Sequence, residues 1–159
     1  YLTSFFADLL TDIRQRQPQA AIGLDLIVGF PGETEDSFER SLSLIRTLPA
    51  THLHVFPYSR RPGTPAADMP DQVPGHVAKE RAARLRQLGE EKQRAFARTF
   101  IGQELEIVIE GGLHKGLRKG LSQNYLSVYL PEDQARIGEC HKVKIEAAMG
   151  EGLLGSINT

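Results

Sequence analysis

The chain has 159 residues, a formal net charge of −1, and 40% hydrophobic against 25% charged residues, the balance of a globular protein with room for one domain or two small ones. Its apolar runs are strand-length, so no segment is expected to span a bilayer, and no secretory leader is expected; the opening at Tyr1 instead of Met reads as a cut edge. Cys140 is the single cysteine, which excludes an internal disulfide and any cysteine-built metal or iron–sulfur site within these residues, and fits a reducing cytoplasm.

The small net charge conceals a segregation. Residues 1–78 hold six Lys/Arg against nine Asp/Glu, residues 79–98 seven against three, and residues 99–159 six against eight. The basic block is in the middle.

In chain order, residues 2–17 read as a helix with Leu2, Phe5, Leu9 and Ile13 at helical spacing and Pro18 as its stop. Residues 21–28 read as a buried strand ended by Gly29-Phe30-Pro31-Gly32. A second helix follows, with Thr34 as N-cap, Glu35 and Asp36 in its first turn, and an apolar stripe of Phe38, Leu42 and Ile45. His52 to Tyr58 reads as another strand, followed by a Pro/Gly-rich loop to Pro74. Strand, helix-length crossover and strand form the pattern of a parallel α/β layer. Two parallel strands cannot cover both faces and both edges, so this part is expected to be the tail of a larger α/β domain, with self-association through residues 21–28 or 52–58.

Residues 76–100 read as one long helix with Val77, Leu85, Leu88, Phe96 and Phe100 inward, interrupted by Gly89 at about 1 kcal/mol relative to Ala. Its charges read as a solvated face paired in part with Glu80, Glu90 and Glu91. After Gly102 the pattern alternates: Leu105, Ile107 and Ile109 among Glu104, Glu106 and Glu110, with further strands at Tyr125–Leu130 and Val143–Ala147. About five strands in ~60 residues predict a small antiparallel barrel of the OB-like kind. The expected domains are 1–98 and 99–159.

Two segments draw attention as chemistry. Gly29-Phe30-Pro31-Gly32-Glu33-Thr34 sits at the carboxyl end of a strand, where α/β folds bind ligands. A phosphate loop fails here because Glu33 stands where a Walker motif needs Lys; a tight strand-to-helix turn capped by Thr34 is the plain alternative. The second, His54-Val55-Phe56-Pro57-Tyr58-Ser59-Arg60-Arg61-Pro62-Gly63-Thr64, leaves its strand at the same end. Pro62-Gly63 fits a type II turn, and Arg60 and Arg61 could grip phosphate or a base, or simply be surface arginines. His54 has no second ligand at metal spacing.

Taken together these segments resemble the end of the radical-SAM barrel of the methylthiotransferases, enzymes that insert a methylthio group into tRNA or a ribosomal protein. Asp25-Leu26-Ile27-Val28-Gly29-Phe30-Pro31-Gly32-Glu33-Thr34 with Phe38 is similar to the family's fifth-strand motif, and Tyr58-Ser59 with Arg61, Gly63, Thr64 and Ala67 to its sixth-strand loop. The barrel with Gly120-Leu121-Ser122-Gln123-Asn124-Tyr125 resembles the family's RNA-binding TRAM domain. Arg61, where the ribosomal-protein enzymes usually carry Glu, resembles the tRNA branch, and His54 to Ser59 most resembles the enzymes acting on threonylcarbamoyladenosine.

The resemblance implies an α/β plus all-β chain: the C-terminal piece of a partial parallel (β/α) barrel followed by a TRAM barrel. In the family, one [4Fe–4S] cluster cleaves S-adenosylmethionine to a 5′-deoxyadenosyl radical and a second is implicated in sulfur delivery. Their six cysteines are lacking here, so these residues alone are expected to bind no cluster or metal and to contain no catalytic residue. The resemblance further implies that Ile27, Val28, Gly29, Val55 and Phe56 contact S-adenosylmethionine, and that Tyr58, Ser59 and Arg61 face the incoming nucleoside. The expected partner is the tRNA anticodon stem-loop, with no membrane. Its expected contacts are Lys115, Arg118 and Lys119 in a turn with no acid among residues 111–120, Lys142 and Lys144 on one strand face, and Tyr125, which shares a face with Tyr129. The alternatives are a non-catalytic RNA-binding protein and a methylthiotransferase acting on a ribosomal protein.

Overall fold

The computed structural model describes residues 2–114, 116–150 and 152–157. They form two compact units, Tyr1–Glu91 and Lys92–Thr159. No helix among the described residues is long and apolar enough to cross a membrane.

The first unit begins with helix α1 (Thr3–Arg16), strand β1 (Gly23–Val28), helix α2 (Glu35–Thr47) and strand β2 (His52–Pro57). The strands pair in parallel, Gly23 beside His52 through Val28 beside Pro57, as a helical crossover demands. Thr34 caps α2 through its side-chain oxygen, which accepts from the Ser37 N–H at 3.2 Å. Phe38, Leu42 and Ile45 of α2 are buried with Val28, Val55 and the long helix α3 (Gly75–Arg98), through Ala82, Leu85 and Leu88. A second cluster joins Leu10, Ile22, Leu24, Leu48 and Ala50.

Three local expectations change. In α1 the inward residues are Phe6, Leu10 and Ile13, while Leu2, Phe5 and Leu9 are exposed; apolar residues occupy both sides of this helix, so spacing alone could not choose the face. Strand β1 is buried on one face only: Leu24 and Val28 point into the core, and Ile27 is 62% exposed. Helix α3 runs unbroken through Gly89, where a side chain would press within 3.2 Å of Leu53 Cβ. The glycine lets helix and strand approach.

The second unit is a closed barrel of β3 (Glu104–His114), β4 (Leu117–Ser122), β5 (Ser127–Pro131), β6 (Cys140–Met149) and β7 (Gly152–Ser156), in the order β3-β4-β5-β7-β6. Its interior holds Leu105, Ile107, Ile109, Leu126, Val128, Leu130, Val143, Ile145 and Leu153, all buried. The barrel is mixed, not antiparallel, because β5 and β7 run parallel. Closure puts the third and fifth strands of the barrel side by side, which alternation along each strand does not reveal.

Candidate functional site

The carboxyl ends of β1 and β2 carry the first candidate. Side chains alternate across a strand, so neighbouring residues face opposite ways. Val28 and Val55 are buried against the helices, whereas Ile27 and Phe56, adjacent in register, are exposed on the other face. Beyond them the chain turns, and the Tyr58 N–H donates to the Val28 carbonyl at 2.7 Å. A hollow of about 520 Å³ opens there, lined by Ile27, Phe30, Phe56, Tyr58, Arg61 and Thr64 together with Pro57, Ser59 and Ala66. Phe30 meets the Tyr58 ring edge-on, centroids 5.3 Å apart. The Tyr58 hydroxyl is buried and has no hydrogen-bond partner among the described residues. Such a group costs about 1–3 kcal/mol unless something binds it. The site is therefore apolar, with one buried hydroxyl and one exposed guanidinium, that of Arg61. Arg61 also starts a turn at Pro62-Gly63, where Gly63 has φ +80° and the Thr64 N–H reaches the Arg61 carbonyl at 3.3 Å.

Gly29 sits behind this hollow. Its φ is +72°, and a Cβ there would lie 2.5 Å from the Ala78 Cβ. Its N–H donates to Glu33 Oε1 at 3.1 Å. The same carboxylate accepts from Arg81 Nη1 at 2.7 Å. Glu33, which forbids a phosphate loop, thus closes the turn and anchors it to α3.

Arg81 departs from the expected solvated face of α3. Its side chain is 6% exposed and forks to Glu35 at 2.9 Å as well as to Glu33. Arg84 pairs with Glu35 and Glu39, and Arg86 donates to the Val55 carbonyl at 3.2 Å. The acidic partners of Arg81 and Arg84 come from α2 and the turn before it. The Arg81 hydrogen bond, followed by the charges of Arg81 and Arg84, holds the Glu35 carboxyl below its ordinary value against the opposing effect of burial.

The barrel surface is the second candidate, and its charges are largely matched. Lys119 pairs with Glu110 at 3.1 Å and Arg118 with Glu132 at 3.4 Å. Glu110 adjoins the acid-free stretch 111–120, and Glu132 reaches it from just past the end of β5. Lys142 and Lys144 are exposed but lie opposite Glu106 and Glu104 across β3 and β6. Lys115 lies outside the described residues. Tyr125 does not share a strand face with Tyr129: it sits in the turn before β5 with φ +60°, 70% exposed, while Tyr129 lies within β5 opposite Lys119. Beneath Tyr125, Ser122 accepts the Leu126 N–H through its hydroxyl and the Tyr125 N–H through its carbonyl, and the buried Asn124 bonds the same hydroxyl.

No family model matches the chain. It is 39% identical over 149 residues to the threonylcarbamoyladenosine tRNA methylthiotransferase of Bacillus subtilis, a match covering 91% of this chain and 33% of that protein. Over 115 residues it is 44% identical to the tRNA-2-methylthio-N(6)-dimethylallyladenosine synthase of Nocardia farcinica, covering 72% of this chain and 23% of that protein. The synthase of the same name from Francisella philomiragia is 35% identical over 154 residues, 96% of this chain and 35% of its own length. The chain is a homologue of the tRNA methylthiotransferases. It spans about a third of the length of the first and third of these relatives.

In this methylthiotransferase homologue, five of the eight pocket positions expected from sequence line the hollow: Ile27, Phe56, Tyr58, Ser59 and Arg61. Val28 and Val55 turn their side chains into the core, leaving only main chain for a ligand, and Gly29 packs against α3. Phe30 was missed as a wall residue, although its place between two turn glycines was a signal. Arg81 and Glu33 were missed because their partnership joins residues 48 apart.

Proposed function

We propose that the chain is the carboxyl-terminal part of a radical-SAM tRNA methylthiotransferase that adds a methylthio group to a modified adenosine, threonylcarbamoyladenosine, beside the anticodon. The homology to tRNA methylthiotransferases carries this reading, and the pocket at the carboxyl ends of β1 and β2 supports it. The parallel pair with its uncovered face fits a partial (β/α) barrel, and the closed five-stranded barrel fits an OB-like TRAM domain. A tRNA substrate places the enzyme in the cytoplasm.

S-adenosylmethionine fits the residues present. The apolar wall of Ile27 and Phe56 suits an adenine face, with Ser59 and the exposed Arg61 as polar neighbours. When bound, S-adenosylmethionine supplies the radical source of the family's chemistry. Around it, Ile27 and Phe56 exclude water, Val28, Gly29 and Val55 back the wall with main chain held by Tyr58, Glu33 and Arg86, and Tyr58, Ser59 and Arg61 meet the nucleoside. The iron–sulfur clusters do not fit these residues: Cys140 is the sole cysteine, and no three metal-ligating side chains group together among the described residues.

The barrel is proposed to hold tRNA through Tyr125 and the cations Lys115, Arg118, Lys119, Lys142 and Lys144. Since Arg118 and Lys119 already pair with carboxylates, binding by this unit alone is expected to be weak and salt-sensitive. Titration of tRNA at low salt tests this; salt-independent binding, or none, contradicts it. The whole protein, incubated with reductant, S-adenosylmethionine and tRNA, is expected to release 5′-deoxyadenosine and methylthiolate the tRNA, and the 159-residue chain to do neither. A whole protein that binds tRNA without releasing 5′-deoxyadenosine would instead support the non-catalytic alternative.

A further inference from the structure

The turn between β1 and α2 is soft by composition. Gly29 and Gly32 both have positive φ, +72° and +83°, so the segment carrying Phe30 to the pocket wall gains little rigidity from its own backbone. Apart from its own Glu33 N–H to Phe30 carbonyl bond at 2.9 Å, its fixed points come from residues 71–81. The Gly32 N–H donates to the Asp71 carbonyl at 2.9 Å. Ala78 packs against the Gly29 α-carbon. Arg81 holds Glu33 twice, through Nη1 to the carboxylate at 2.7 Å and to the main-chain carbonyl at 3.0 Å. That carboxylate in turn accepts the Gly29 N–H at 3.1 Å.

A buried ion pair is a poor device for stability alone, because desolvation offsets most of its attraction and apolar side chains of similar volume often serve as well. Its distinct property is direction. The guanidinium is planar, with donors in a fixed fork, so it dictates where both Glu33 and Glu35 must lie. Arg81 itself does not line the hollow. It acts on a residue that holds the wall.

We propose that Arg81 is a positioning residue for the β1–β2 pocket: by gripping Glu33 it locks the Gly29–Thr34 turn and thereby sets Phe30 against Tyr58 on the pocket wall. This assignment rests on the proposed S-adenosylmethionine and nucleoside role of the pocket, but its local part can be read without any substrate. The 159-residue chain, isotopically labelled, gives the exchange rate of the Gly29 amide and the ring resonances of Phe30 and Tyr58. Arg81→Met and Glu33→Ala are expected to speed Gly29 exchange at least about tenfold and to shift both rings, with Arg81→Lys in between and barrel amides unchanged. In the whole enzyme, Arg81→Met is expected to raise KM for S-adenosylmethionine about tenfold with kcat within about threefold, and Arg81→Lys to recover part of the loss. Should Arg81→Met not fold, Glu33→Ala and Arg81→Lys decide. Unchanged Gly29 exchange and ring resonances in the folded variants, or a fall in kcat at constant KM, overturns the proposal. A wild-type enzyme without S-adenosylmethionine activity, but with the turn loosened in the variants, rejects the proposed function while leaving the clamp intact.

Discussion

Gly29 and Gly32 share a backbone conformation that L side chains avoid, yet their surroundings differ. A Cβ at Gly32 meets nothing within 4 Å, whereas at Gly29 it collides with Ala78 at 2.5 Å. Gly32→Ala is therefore expected to cost about 1–2 kcal/mol, the left-handed penalty alone. Gly29→Ala adds overpacking of about 1–3 kcal/mol. Urea unfolding of the two variants separates these contributions, and equal losses contradict the close approach of α3. Tyr58 behaves in the opposite sense. Its buried hydroxyl lacks a partner, so Tyr58→Phe is expected to leave thermal stability unchanged or raise it by up to about 1 kcal/mol. A clear loss of stability on removing this hydroxyl contradicts the assignment.

At the scale of elements, α2 and α3 are joined by a ladder of charge, Arg81 and Arg84 on one side and Glu33, Glu35 and Glu39 on the other. The Glu35 carboxyl is held below its ordinary 4.5 chiefly by the Arg81 hydrogen bond. A lowered carboxyl stabilises the fold above its unfolded value, and that contribution disappears as pH falls through the folded value. Glu35→Gln should therefore lower stability by a constant amount near neutral pH, and the gap to wild type should close below about pH 4.5. Denaturant titrations across that range measure it; a gap that persists at low pH contradicts the linkage. This ladder was illegible in the sequence because its partners are 45–49 residues apart, while charge patterning sees only neighbours within a helix. The N-cap at Thr34 and the stripe Phe38, Leu42 and Ile45 were legible because each depends on spacing within a single turn or helix. Strand alternation revealed β3 and β6 but not the parallel contact of β5 with β7, which only closure of the barrel creates.

For the whole molecule, the open face of the two-stranded sheet is the main consequence of the fold. Ile27 and Phe56 lie side by side there, both more than half exposed. Apolar neighbours of this kind, next to unpaired strand edges, favour association of the isolated chain. Light scattering is expected to show mass rising with concentration and Phe56→Glu to reduce the effect; a monomer at all concentrations contradicts it. The pocket was legible from sequence as two segments leaving strands at one end, since that placement follows from strand order and side-chain alternation. Which side chains face the hollow was not, because Val28 and Ile27 differ only in the direction the strand turns them.

The most direct measurement is nucleoside analysis by mass spectrometry of tRNA from cells lacking the gene that encodes this chain. Loss of the 2-methylthio form of threonylcarbamoyladenosine is expected, with the unmethylthiolated nucleoside accumulating and ribosomal proteins unaltered. An unchanged 2-methylthio nucleoside content, or a methylthio group lost from a ribosomal protein instead, contradicts it.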